Sequence, residues 1–344
     1  MSSKNTPPTF SGKTRAEWLD IIRSDLKGKD IKSLQAEWLS DLSVSPFQHL
    51  EDLSKETQPL ARVFQQPKLV ESFPINENMG SNLFEALSHG ISAPFFPDPT
   101  PWASFWSPLK EVQWDMLFPI WTSPLPENSD APDHPEQYTQ RFYLNGPHGE
   151  NLSYRQQTGR FCFAVPHTSA ASLPHRLADW LLDIVHQIDT LEEAQAEQLF
   201  KNALHKKNLG RNFYLELAAL RAMRILSNQL QKDYNLSQSH PIAIYAHIGP
   251  DLALSNLQKS MIAYTTAAWA AVTGGADFIH IDPKSDAEDA LSRRLARNVF
   301  HLFDMESHLL HVVDPAAGSY ALENLSHTLA QGAWDLFRKS IDEA

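Results

Sequence analysis

The residues best suited to chemistry are clustered in the second half of this chain. "HIDP" places His280 and Asp282 two positions apart, so on a strand both would share one face and could hold a metal, though no third ligand is identifiable. "LHKKNLG" carries Lys206 and Lys207 side by side. Two ammonium groups cannot line a dry strand without partners. Either that segment leaves the sheet, or its lysines face a solvent-filled mouth. "HLLH", with His308 and His311, reads as surface. The one cysteine, Cys162, cannot form an intramolecular disulfide. No Gly-x-Ser-x-Gly, phosphate-binding loop or His-Glu-x-x-His motif occurs in the sequence, so those hydrolase and nucleotide chemistries have no carrier.

Any such site needs a scaffold, and the composition allows a large one. The 344 residues are 42% hydrophobic and 20% charged, the balance of a soluble globular protein. The net charge of -12 argues against non-specific nucleic-acid binding and against docking on anionic lipid. No secretory leader and no run of 18 apolar residues is visible. The expectation is a cytoplasmic protein.

The chain opens on a polar stretch, then Trp18, Ile21, Ile22 and Leu26 at helical spacing, then a second short helix from Ile31 to Leu39. We read residues 1–60 as a helical arm and 61–344 as one domain. Strand-like runs follow at 68–75, 91–96, 115–121, 140–145, 159–165, 240–248 and 277–282. Helical runs fall at 82–90, 107–114, 213–230, 257–275 and 322–340, and around Leu177, Leu181, Leu182 and Val185. "SDAE" (285–288) is a capping box for a helix carrying Leu291, Leu295, Val299 and Leu302 on one face. The proline-rich stretch 123–137 is an exposed loop. Strands alternating with helices imply parallel pairing, and seven or eight of them predict a (β/α)8 TIM-type barrel, whether regular or degenerate. A doubly wound sheet lacks its Gly-rich fingerprint here. "VVDPAAGSY" (312–320) is a rigid corner before the last helix, with Tyr320 as an aromatic anchor.

The long stretch 293–334 resembles the end of the barrel domain of methylmalonyl-CoA mutases, through Arg297-Asn298, Glu306-Ser307, Asp314-Pro315, Gly318-Ser319-Tyr320, Glu323, Ala330 and Ala333-Trp334. "RNFYLELAALRAMRIL" (211–226) is similar to another helix of that family, and 17–34 with 46–53 to its N-terminal arm. Residues 60–150 match poorly. The resemblance implies a barrel that binds acyl-CoA along its axis and works with adenosylcobalamin held by a separate domain, interconverting methylmalonyl-CoA and succinyl-CoA. Asp-x-His-x-x-Gly, the family's cobalamin motif, is not found, and we expect no cobalamin-binding domain in this chain.

The resemblance also places candidate site residues. His167 falls where the family has a catalytic His, but Ala164-Val165-Pro166 replace Ser-Gly-Tyr before it. His247 falls at a cofactor-touching His, with Tyr245 in place of an Arg and Gly249 in place of a Gln; a phenol does not replace a bidentate cation. Lys206 and Lys207 stand where the family has an apolar run, and an acyl-CoA phosphate is one reading of them. Bulky strand residues (Phe118, Ile120, Trp121, Phe161, Phe163, Ile242, Ile244, Tyr245, Phe278) suggest a filled interior. The expectation is a non-catalytic small subunit that binds a catalytic large subunit, with Trp18, Trp38, Phe47 and Leu50 of the arm at the interface. The alternatives are the substrate-binding half of a split mutase, with cobalamin on a separate chain, and a self-associating scaffold.

Overall fold

The computed structural model describes residues 11–34, 36–39, 42–45, 47–53, 60–73, 78–96, 112, 117–118, 120–121, 142–143, 162–167, 172–236, 239–254, 256–282 and 290–343. The expected stretch 123–137 and the capping box at 285–288 lie outside them, as do Phe161 and all of the expected helix at 107–114 except Val112, which is buried and not in a helix.

The N-terminal segment holds helix α1 (Arg15–Asp25), a 3-10 turn (Ile31–Leu34) and the antiparallel hairpin β1 (Ala36–Leu39) and β2 (Leu42–Val44). Thr14 and Glu17 close α1 with a reciprocal capping box. The helix expected through Leu39 is therefore replaced after Leu34 by a strand.

Eight parallel strands follow: β3 (Lys68–Ser72), β4 (Ala93–Phe96), β5 (Ile120–Trp121), β6 (Phe142–Tyr143), β7 (Cys162–Ala164), β8 (Leu204–Asn208), β9 (Ala243–Ile248) and β10 (Phe278–Ile281). Their order is β6-β5-β4-β3-β10-β9-β8-β7. Neighbours in sequence are neighbours in space, and the last strand pairs with the first, Phe278 opposite Lys68. This is the cyclic order of a (β/α)8 barrel, with a seam between β6 and β7, where no pairing is recorded among the described residues. "LHKKNLG" has not left the sheet: β8 pairs with β7 and β9.

The helices are α2 (Met79–Ser88), α3 (Leu173–Ile188), α4 (Glu193–Asn202), α5 (Phe213–Asp233), α6 (Leu257–Thr273), α7 (Ala290–His301) and α8 (Tyr320–Asp342). Period-2 alternation splits each strand between two cores. Leu69, Phe96, Phe163, Ile244, Ala246 and Ile279 face the helices, whereas Val70, Ala93, Ile120, Leu204, Ala243, Tyr245 and Phe278 fill the barrel axis. Phe163 and Ile244, expected among the interior bulk, thus point outward; Cys162 and Ala164 alternate with Phe163 and take the inner face of β7. On α7 the buried residues are Ser292, Ala296, Arg297, Val299 and Phe300, while Leu291 and Leu302 of the expected face are 46% and 53% exposed. The helix turns Arg297 inward instead, to reach Glu71 at 3.4 Å.

The Asp-Pro corner is an electrostatic knot. Arg221 of α5, buried, places Nη1 2.5 Å from both Asp314 oxygens and Nη2 2.8 Å from Glu323, a charge contact. Asp314 also accepts from the amides of Leu60 and Ala316. Gly318, at φ +80°, turns the chain, and its amide donates to Glu323. The carboxylate is the anchor of this corner; Tyr320, expected to be so, is 38% exposed. A second buried carboxylate, Asp277, accepts from the amides of Val63, Phe64 and Ile244 and from Arg224. It fixes the N-terminal end of the barrel.

Candidate functional site at the C-terminal mouth of the barrel

The inner faces of β3, β8, β9 and β10 change character along their length. At the N-terminal end three rings meet. Phe64 lies 4.9 Å from Phe118 and 5.4 Å from Phe278, and Phe118 lies 6.2 Å from Phe278. The ammonium of Lys68 sits over Phe118 at 4.9 Å. These edge-on contacts close the floor.

Beyond that floor the inward residues become polar. Tyr245 of β9 and His280 of β10 are both buried, with the phenol oxygen 2.5 Å from His280 Nδ1. Ser72 of β3 meets Nε2 of the same ring at 3.0 Å. His247, two residues on from Tyr245, stacks over it and contacts Asn208 Oδ1 through Nδ1 at 3.0 Å and Asp282 through Nε2 at 3.7 Å. The His247 and His280 rings are 5.1 Å apart, and Phe95 flanks His280 at 5.5 Å. Cys162, Ala164, Lys206, Asn208, His247 and Asp282 are only partly buried, so this upper half of the axis is a cup.

The electrostatics follow from enclosure. Burial drives His280 down to about 3, helped by His247 and Lys206 and opposed by Asp282, so the ring is neutral. Burial, then the negative potential of Asp282 and Cys162, lifts Tyr245 well above the ordinary phenol. Burial would raise Asp282, but the hydrogen bond with His247 and the electrostatic influence of the neighbouring His280, His247 and Lys206 side chains outweigh it and hold it below the ordinary range. Burial lowers Lys206, against the pull of Cys162 and Asp282.

The two lysines part company because alternation sends them to opposite faces. Lys206 points into the cup, where its Nζ has no hydrogen-bond or ion-pair partner among the described residues. Lys207 points outward and is neutralised by Glu216 of α5. Gly210 makes this approach possible, since a Cβ there would fall 2.7 Å from Glu216 Oε1.

The structure brings Tyr245, His247, His280, Asp282 and Lys206 together. His167 stands apart, at the rim after β7, half exposed and 3.5 Å from Asp251. A Cβ at Gly249 would meet Asp251 at 2.8 Å and His247 at 3.1 Å, so a larger residue there would displace both. His280 and Asp282 do share a face, but both His280 nitrogens are engaged, and no group of three metal-ligating residues occurs among the described residues. His308 and His311 are exposed. Ser72, Phe95 and Asn208 were not anticipated as site residues; the alternation of Val70 with Ser72, and of Lys206 with Asn208, was the available signal.

Comparison with known proteins finds sequence similarity over part of the chain. Residues 192–344 match the sequence model of the family described as methylmalonyl-CoA mutase. The methylmalonyl-CoA mutase of Rhizobium meliloti is 30% identical over 137 residues, 38% of this chain and 19% of the relative. The methylmalonyl-CoA mutase small subunit of Streptomyces virginiae is 42% identical over 88 residues, 25% of this chain and 14% of its own length. The small subunit of Porphyromonas gingivalis is 28% identical over 166 residues, 46% of this chain and 27% of its own. The matches thus span about a quarter or less of these relatives. Among solved structures, the Yersinia pestis dihydropteroate synthase aligns over 70% of this chain and 93% of its own at a TM-score of 0.38 and 11% identity, too little to bear on fold or function. The segment from α4 to α8, within residues 192–344, is thus the part of the chain that is similar to methylmalonyl-CoA mutases.

Proposed function

We propose that this chain is a non-catalytic, small-subunit-like barrel of a methylmalonyl-CoA mutase, which binds and stabilises a catalytic large subunit. The observation that carries this reading is the floor of Phe64, Phe118 and Phe278. An acyl-CoA threaded along the axis needs an open bore, and three mutually packed rings occupy it as in an ordinary filled barrel. Above the floor, the Tyr245–His280 contact narrows what remains.

Adenosylcobalamin fits these residues poorly. Both nitrogens of His247 and of His280 are already engaged by neighbouring side chains, which leaves neither ring free as an axial ligand. The cofactor is assigned to the partner chain of the complex.

Association needs exposed apolar surface, and two regions offer it. Trp18 is spent within the arm, edge-on against Phe47 at 5.7 Å, but Ile21 and Leu50 are 53% and 60% exposed; the side chain of Trp38 lies outside the described residues. On the barrel flank, Ile262 and Trp269 of α6 are exposed beside Tyr214 of α5. Exposed aromatics of this kind dominate interface energy. The polar upper cup favours a second reading, the substrate-binding half of a split mutase.

One experiment separates these. The chain is purified alone and with a mutase large subunit; association is followed by sedimentation, and methylmalonyl-CoA binding by calorimetry. The proposal expects a stable complex and no acyl-CoA binding by the isolated chain. Saturable acyl-CoA binding by the chain alone refutes it in favour of the split enzyme, and self-association without affinity for a large subunit refutes it in favour of a scaffold.

A further inference from the structure

The feature that a purely structural barrel leaves unexplained is Lys206. The other buried or half-buried cations described above are matched: Lys207 by Glu216, Arg221 by Asp314 and Glu323, Arg224 by Asp277, Arg297 by Glu71, and Lys68 by the ring faces of Phe64 and Phe118. Lys206 is the exception among them. It sits on the inner face of β8, in register with Ala164 and Tyr245 on the flanking strands, and among the described residues its ammonium feels Cys162 and Asp282 electrostatically without a hydrogen bond or close ion pair.

We propose that Lys206 is a reactive amine at the bottom of the barrel cup, placed to condense reversibly with a small uncharged aldehyde. Size is set by the walls. The ring floor and the Tyr245–His280 pair occupy the N-terminal part of the axis, so a ligand enters from the C-terminal side, where Cys162, Ala164, Asn208, His247 and Phe95 are only partly buried. Charge is set by Asp282, the anion of the cup, which balances the lysine at a distance and repels a second carboxylate.

The step balances without any external oxidant or reductant. The lone pair of the neutral amine forms a C–N bond to the carbonyl carbon, and the π pair moves to oxygen, which takes up the proton the nitrogen sheds. The resulting hydroxyl takes a proton from solvent at the open end of the cup and leaves as water, and the nitrogen lone pair forms the C=N bond. Desolvation favours the neutral amine that begins this sequence, and the protonated Tyr245 and neutral His280 provide hydrogen bonds rather than charge around it.

The test uses the intact chain, propanal as probe, and cyanoborohydride to reduce the imine, with each lysine quantified by peptide mass spectrometry at neutral pH. We expect alkylation of Lys206 to outpace that of the exposed Lys27, Lys29 and Lys32 at every propanal concentration below saturation. Its rate should saturate with propanal and fall when unreactive propanamide competes. Lys206→Met should abolish this component and leave labelling of the exposed lysines unchanged. Labelling of Lys206 no faster than those lysines, or faster but strictly linear in propanal and indifferent to propanamide, overturns the proposal.

Discussion

Asp314 and Arg221 offer the most decisive test of how the barrel is held together. Both side chains are nearly inaccessible, at 4% and 1% exposure, and Glu323, the third member, is at 3%. Asp314→Ala removes one of two carboxylates facing Arg221, leaving the Arg221–Glu323 contact. It also strips the acceptor from the Leu60 and Ala316 amides. Arg221→Met removes the cation paired with both carboxylates and leaves the two buried acids without it. Loss of one partner from a buried pair costs about 3–5 kcal/mol, and an unmet buried donor about 1–3 kcal/mol. Asp314→Ala is therefore expected to cost about 3 kcal/mol, and Arg221→Met about 5 kcal/mol or more. Urea unfolding followed by tryptophan fluorescence measures both. Amide exchange supplies an independent readout, because the Leu60 amide should exchange faster in Asp314→Ala than in Arg221→Met, where its acceptor survives. If Arg221→Met proves the milder change, or either costs under about 1 kcal/mol, the knot is not what secures this corner and the reasoning fails.

Other expectations follow from the same geometry. Glu216→Gln strands the Lys207 ammonium in the sheet–helix layer and should cost about 3 kcal/mol in urea unfolding, whereas the pair change Lys207→Met with Glu216→Leu should recover most of it; equal losses would contradict this. His205 is buried with both nitrogens unpartnered, stacked on Phe163 and edge-on to Trp180. Burial, then Arg224, pushes it down to about 3. Its unfolded form protonates near 6.5 while the folded form does not, so stability present above 6.5 is lost as pH falls toward 3, roughly 3 kcal/mol by pH 4. His205→Phe should flatten that acid limb and be neutral or stabilising at pH 7; an unchanged pH profile by thermal unfolding would exclude it. Burial, opposed by Arg297 and Arg293, raises Glu71 to about 7. The stability it confers is complete below about 4.5 and declines as pH rises through 7, so Glu71→Gln should weaken that decline. Ile262→Ser, at a side chain 69% exposed, should weaken association with a large subunit by about tenfold while leaving the unfolding midpoint unchanged; unaltered association would remove α6 from the interface.

The alternation of apolar strands with amphipathic helices was enough to specify a parallel barrel, because periods of 2 and 3.6 are properties of local sequence. The same holds for the end of α6 at Gly274-Gly275 and for the long helix α5. The motif around Asp314 carried the family resemblance, but not what the aspartate grips, since Arg221 lies 93 residues away. The opposite fates of Lys206 and Lys207 were likewise hidden. Alternation says that neighbours diverge, but which one meets Glu216 and which meets the cup depends on the register of β8 against β7 and β9. The pattern of apolar residues on α7 misled for a related reason: a buried ion pair with Glu71 rotated the helix against its own leucines. Sequence sets periodicity and composition, which are local. Partner choice for buried charge, and the direction in which a bulky ring points, depend on which strands adjoin, and only the closed sheet decides that.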